Sequence, residues 1–425
     1  MRELDKVIGY ESIKSELYRI IDIIKNPEKY KKLGISVPKG ILLDGNPGIG
    51  KTLMAKSFIK ETGLKAFVIR KDKPDGEFVD YIRETFDKAA SEAPSIVLLD
   101  DLDKFANQDH MHRDAEEYVT VQTCIDDVKD LEVFVIATSN NYGKLPESLV
   151  RSGRFDKEFF MGFPKIEDAK KIIEFYLKDK KIGKDIDVEE IARFSEGYSC
   201  ADLETVLNEA GIYAGYENRK HICQDDIKRA VIRKIYNACD PKDTNPESDR
   251  RLAVHEAGHT VISELFHPGQ IAFVSIETRR RGVKGLVCRN KNEHQFEVFN
   301  NHEIEIMINL AGKAASEVIL NEIDMGANSD LHKANDTMTK LLDNISAYDF
   351  HSWCHGPDTS QLIYDHLDTI KGAELSRYYF KTKQLLGQNR AFLEELIEKL
   401  IEKKTLSYKD IAPIREKYVP GQESA

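Results

Sequence analysis

Residues 40–62 restrict most strongly what this chain can fold into. A short apolar strand, Gly40-Ile41-Leu42-Leu43, runs into Asp44-Gly45-Asn46-Pro47-Gly48-Ile49-Gly50-Lys51-Thr52, and a helix-forming segment, LMAKSFIKE, follows. This is G-x-x-x-x-G-K-T with a strand before it and a helix after it, the context that gives the motif its meaning. Glycines let backbone N–H groups wrap phosphate oxygens, the lysine reaches the β and γ oxygens, and the threonine can hold Mg²⁺. Asn46, Pro47, Gly48, Ile49, Gly50, Lys51 and Thr52 are therefore candidate nucleotide ligands.

Two further strands point to the same edge. SIVLLDDLD (95–103) reads as a buried strand ending in acids. Asp100, at its carboxyl end, is placed to hold Mg²⁺ through water, and Asp101 to orient or activate the attacking water. A second strand, Glu132 to Ala137, ends in Thr138-Ser139-Asn140 and presents Asn140 beside them. Strands that deliver polar ends to one crevice describe a doubly wound α/β unit. The plainer reading of Asn140 is a turn former after a strand. Arg151 and Arg154, in RSGRFD, suit an arginine finger that reaches a neighbouring subunit's γ-phosphate, a group worth about 10³–10⁵ in rate. A solvated basic turn is the alternative. Upstream, Ile13, Leu17, Ile20, Ile21 and Ile24 share a helical face, and Pro27 marks its stop.

The other chemical signal is His255-Glu256-Ala257-Gly258-His259, within LAVHEAGHTVISELF. Residues i and i+4 share a helical face, so both histidines can point at one metal ion, with Glu256 adjacent as a base. A catalytic zinc needs a third protein ligand and an open position. His267, Glu277 and Asp330 are the candidates, since Leu265 stands where a zincin histidine would fall. Segments 271–278 and 284–289 read as a hairpin whose edge could align an extended peptide, with Arg279, Arg280 and Arg281 in its turn. His351, Cys354, His355 and His366 fit no strong metal pattern. The stripe Phe392, Leu393, Leu396, Ile397, Leu400 and Ile401 reads as core or subunit contact.

A length of 425 residues suits two or three domains. With 41% hydrophobic and 32% charged residues the composition is that of a soluble globular protein. A net charge of −11 disfavours a nucleic-acid partner. The longest apolar runs are too short to span a membrane, and the charged start MREL is not a signal peptide. Six scattered cysteines, none in a CxxC pair, read as reduced thiols. The expected setting is the cytoplasm.

From Val7-Ile8-Gly9-Tyr10 through VPKGILLDGNPGIGKT, EAPSIVLLDDLD, VIATSN, LVRSGRFD and GYSCADLETVLNEA, with HEAGH and MGANSDL behind, the chain resembles the FtsH-type AAA+ zinc metalloproteases nearly end to end. The resemblance implies an α/β P-loop AAA+ domain with a small helical lid, followed by a mainly α-helical zinc metallopeptidase domain. The implied boundaries are 1–160 for the α/β part, 161–239 for the lid, 240–249 for a linker and 250–425 for the peptidase. It assigns Ile8, Gly9, Leu53 and Ala201 to the nucleotide site and Asp330 as third zinc ligand. It makes Zn²⁺, ATP and Mg²⁺ the cofactors, and unfolded or damaged proteins the substrates of a homohexamer. Two departures stand out. The family has Glu where this chain has Asp101, one methylene shorter. The pore loop that carries an aromatic grip is here the shortened, charged segment Lys71 to Phe78. The function expected is ATP-dependent zinc endopeptidase. The alternatives are a zinc peptidase working largely without ATP coupling and a non-proteolytic AAA+ remodelling protein.

Overall fold

Apolar runs at 40–45, 95–99 and 133–139 become neighbouring strands of one parallel sheet in the computed structural model. The structure describes residues 2–34, 38–106, 115–151, 153–236, 245–277, 285–290, 299–323, 327–343 and 361–420. They divide into two units, Met1–Ile227 and Lys228–Ala425.

The first unit begins with α1 (Glu11–Lys25), α2 (Pro27–Lys31), β1 (Gly40–Gly45), α3 (Lys51–Thr62), β2 (Lys65–Ile69), α4 (Asp75–Ser91) and β3 (Ser95–Leu99). It continues with α5 (Ala115–Asp127), β4 (Val133–Ser139), α6 (Glu147–Val150) and β5 (Lys157–Met161). The strand order is β2-β3-β4-β1-β5, all parallel. Both faces of the sheet are covered, which is why its central strands read as unbroken apolar runs. Leu42, Val97, Leu99 and Val135 pack against Phe78, Ile82 and Phe86 of α4 and Val121 of α5. Ile41, Leu43, Ile96, Leu98 and Ile136 pack on the other side against Leu17 and Ile20 of α1 and Phe58 of α3. The sequence reading found the three central strands and missed β2 and β5. Both are edge strands whose outer residues, such as Lys65, Val68 and Phe160, stay exposed, so their apolar signal is diluted.

The expected lid helices follow as α7 (Ile166–Leu177), α8 (Val188–Phe194), α9 (Cys200–Tyr216) and α10 (Gln224–Tyr236). Ser199 caps α9 in a reciprocal box. Its hydroxyl accepts from the Asp202 N–H at 3.1 Å, and its own N–H donates to the Asp202 carboxylate at 3.1 Å.

The second unit contains α11 (Pro246–Phe266), β6 (Ile271–Ser275), β7 (Leu286–Arg289), α12 (Phe299–Leu320), α13 (Asn328–Asp343), α14 (Gln361–Gln388), α15 (Arg390–Lys403), β8 (Thr405–Ser407) and α16 (Tyr408–Tyr418). Of the segment expected as linker, 240–244 lies outside the described residues, and Pro246 opens α11 behind an Asn245 cap that accepts from the Ser248 N–H at 2.7 Å. From Ala253 to Glu264 the helix α11 is buried on every side, the pattern of a central helix. It packs on α12 and α15. The stripe of α15 is core: Phe392, Leu393, Leu396, Ile397 and Leu400 are all buried. The expected hairpin is present, with β6 and β7 antiparallel, and β8 joins it to give the order β7-β6-β8. Arg279 to Arg281 and His351, Cys354 and His355 lie outside the described residues. No described helix is long and apolar enough to cross a membrane.

Phe78, the aromatic residue at the end of the expected pore loop, is fully buried in α4, its ring edge-on to Phe105 at 5.2 Å. Phe78→Ala should therefore destabilise the fold by about 3–5 kcal/mol, the range for emptying a buried aromatic site. A urea or thermal midpoint measures this, and an unchanged midpoint would place the ring outside the core.

Candidate active sites

Because β3, β4 and β1 are consecutive in the sheet, their carboxyl ends bring the P-loop, Asp100–Asp101 and Asn140 to one edge. The Lys51 ammonium donates to the carbonyls of Gly45 (2.6 Å) and Asn46 (2.7 Å) and to Asn140 Oδ1 (2.9 Å). Burial pushes its pKa down, against the pull of Asp44, Asp101, Asp103 and Asp100. The Thr52 hydroxyl donates to Asp100 Oδ1 at 2.8 Å, which puts both Mg²⁺-binding candidates together. Asn140 Nδ2 donates to Asp101 Oδ1 at 3.0 Å, and the Asn140 N–H donates to Asp103 Oδ1 at 2.9 Å. Asp101 has φ 58°, a left-handed conformation that non-glycine residues adopt at an energetic cost and that is concentrated at functional sites. Lys51 is thus linked through Asn140 to the water-orienting candidate.

The cleft beside this edge has a volume of 550 Å³, in the range for a small-molecule site. Ile8, Pro47 to Leu53, Asp101, Asn140 and Ala201 line it, whereas Gly9, Asn46 and Asp100 do not. Asp100 stands behind Thr52, and the Asn46 carbonyl supports Lys51. The sequence reading missed Tyr10, Phe175 and Tyr176, which also line the cleft. They offer apolar and aromatic surface for a planar base, and no motif marks them. The two arginines have different settings. Arg154 is buried, and its guanidinium holds Asp126 through two bonds of 3.1 and 2.7 Å and also donates to the Ser148 carbonyl. Arg151 is exposed.

In the second unit, consecutive turns of α11 place His255 Nε2 and His259 Nε2 3.0 Å apart. Asp330, in the first turn of α13, brings Oδ2 to 3.2 Å from the first nitrogen and 3.4 Å from the second. Four-coordinate zinc with bonds of about 2.0–2.1 Å sets its ligand atoms about 3.3 Å apart, so this triangle has the right size. The Ile308 carbonyl, 2.6 Å from His259 Nδ1, can only accept, so Nδ1 carries the hydrogen and the Nε2 lone pair faces the Asp330 carboxylate. In the neutral ring that nitrogen is free to bind a metal ion beside the carboxylate. Among the described residues these three form the only such group, and the rival ligands His267 and Glu277 are not in it.

Space for an ion comes from the crossing of α11 and α12. A Cβ on Gly312 would lie 2.5 Å from His255 Nε2 and 2.6 Å from His259 Nε2, and one on Gly258 would lie 2.5 Å from the Ala311 carbonyl. Only glycine fits at either point. Glu256 is buried in the same cleft, which has a volume of 860 Å³. Burial raises its carboxyl pKa, against the pull of His259 and His255. Leu286, Val287 and Arg289 of the edge strand β7 form another wall.

Family models match in the order of the architecture. The ATPase family associated with various cellular activities covers residues 41–163, the AAA+ lid domain 185–229, and peptidase family M41 243–414. The chain is 31% identical to ATP-dependent zinc metalloprotease FtsH 2 of Symbiobacterium thermophilum, over 96% of this chain and 73% of the relative. It belongs to the FtsH family. Other members are similarly related. The FtsH protease of Helicobacter felis is 29% identical over 96% of this chain and 69% of its own length, and that of Leptotrichia buccalis is 31% identical over 97% and 57%. The M41 match holds HEAGH and Asp330, and the AAA match holds the P-loop, Asp100, Asp101 and Asn140.

If Gly312 leaves the room that an ion needs, Gly312→Ala should weaken zinc binding by about 10–100-fold, the scale of changes just outside a metal's ligands. Metal content after dialysis, with circular dichroism as the folding control, measures this. Full zinc occupancy would remove Gly312 from the site.

Proposed function

We propose that the chain is an ATP-dependent zinc endopeptidase that degrades unfolded or unstable proteins. The observation that carries this reading is the triangle of His255, His259 and Asp330 beside buried Glu256, on a chain that also holds an assembled P-loop site. Zinc, when bound, lowers the pKa of water and polarises a scissile carbonyl. Glu256 takes up the proton released by the attacking water and passes it to the leaving amine. Strand β7, at the sheet edge along the cleft, aligns an extended peptide by strand addition.

At the other site Lys51 serves the phosphates of ATP, Thr52 and Asp100 serve Mg²⁺, and Asn140 with Asp101 positions the attacking water. Arg151, exposed on its turn, is the finger suited to a neighbouring γ-phosphate in a homohexamer, while Arg154 holds the turn through Asp126. The division of labour follows the boundaries 1–160, 161–239, 240–249 and 250–425. Cytoplasmic operation accords with the free thiols Cys124, Cys200, Cys223 and Cys288.

Buried Phe78 and shortened Asp101 favour one second reading, a zinc peptidase that cleaves without ATP coupling. Casein cleavage with and without ATP and chelator separates the two. Chelator should abolish cleavage, and Glu256→Gln should lower it by about 10²–10⁴-fold with zinc and ATPase activity retained. Equal degradation of a folded substrate without ATP would establish the uncoupled reading, and a metal-free, inert protein would refute both. Asp101→Glu, which restores the longer carboxylate, should raise ATP turnover roughly tenfold, part of the general-base contribution. An unchanged rate would show that reach at this position is not limiting.

A further inference from the structure

We propose that Arg70 is a built-in counter-ion that competes with Mg²⁺ for Asp100. Strands β2 and β3 are parallel with Ile69 abreast of Leu99, and the Asp100 N–H donates to the Ile69 carbonyl at 2.9 Å. Arg70 and Asp100 therefore leave the sheet side by side, at the edge where the nucleotide site lies. The Arg70 guanidinium donates through Nη2 to Asp100 Oδ2. The other oxygen, Oδ1, accepts from the hydroxyls of Thr52 at 2.8 Å and Thr138 at 2.9 Å. Both oxygens of this buried acid are thus engaged, one of them by a full positive charge.

The pair is buried only on its acidic side. Asp100 is 1% exposed while Arg70 is 54% exposed, so the guanidinium can swing into solvent without unpacking the core. The neighbouring acid is held in the same manner: Lys104, itself exposed, donates to Asp101 Oδ2 at 2.6 Å. Two cations of the chain's own therefore offset the negative potential with which these acids attract a divalent ion. A hydrated Mg²⁺ that reaches Asp100 must displace Arg70 from the carboxylate, and loading then requires more free Mg²⁺ than an uncapped acid would. Lys51 donates to Gly45, Asn46 and Asn140 rather than to Asp100, so nucleotide binding without metal is preserved.

This inference rests on the reading of the cleft as a nucleotide site, and the test keeps the two apart. A fluorescent, non-hydrolysable ATP analogue is titrated onto the full chain in EDTA and then across a series of free Mg²⁺ concentrations, for the wild type, Arg70→Ala, Arg70→Gln and Arg70→Lys. Removing the charge should lower the half-saturating free Mg²⁺ about fivefold, the scale of a partly exposed ion pair, with affinity in EDTA unchanged. Arg70→Lys should stay near the wild type. Arg70→Gln keeps most of the side chain's bulk and stands in if Arg70→Ala misfolds. Normal analogue binding with an unshifted Mg²⁺ dependence, or with a dependence shifted to higher Mg²⁺, would overturn the competition alone. A wild type that binds no analogue even in excess Mg²⁺ would overturn the nucleotide site and this proposal with it.

Discussion

Two histidine nitrogens and a carboxylate oxygen meet within 3.4 Å in the second unit, and that convergence is hard to sustain without a cation. The Ile308 carbonyl engages Nδ1 of His259 and so leaves Nε2 turned toward Asp330. The surroundings serve this arrangement. Helix α11 is buried along its central three turns and cannot rotate the histidines away. Gly258 and Gly312 bring α11 and α12 close while leaving room beside the ring nitrogens. The edge strand β7 closes another side of the cleft, where a peptide can lie within reach of Glu256.

The first unit solves a related problem with a different element. Its chemistry depends on carboxylates, an amide and an ammonium held near one another at the edge of a parallel sheet. Sheet order places them there, and a network holds them, from Lys51 through Asn140 to Asp101. The chain's own cations enter that network. Arg70 and Lys104 sit on the two adjacent acids, and Arg154 stabilises the turn on which Arg151 is exposed. Charge balance at this edge is thus set largely from within the chain.

Much of this was legible beforehand because some signals are local. A P-loop between a strand and a helix, central strands buried on both faces and two histidines one helical turn apart are all consequences of short-range geometry. The edge strands β2 and β5 were not legible, since half-exposed strands carry little apolar contrast. Nor was the place of Phe78 legible, since an aromatic residue in a charged segment has no evident partner until α4 is seen to turn it onto Phe105.

By itself the sequence determined the two chemistries and their order along the chain, because each rests on residue types at a fixed short spacing. It also narrowed the third metal ligand to three candidates. The family resemblance favoured Asp330 among them, and only the tertiary structure brings it to the histidines, since it lies more than seventy residues from HEAGH and their meeting depends on where α13 begins relative to α11. The same holds for Gly312, for the aromatic wall of the nucleotide cleft and for Arg70 beside Asp100. Each is a meeting of residues distant in the chain, and packing and strand register decide it.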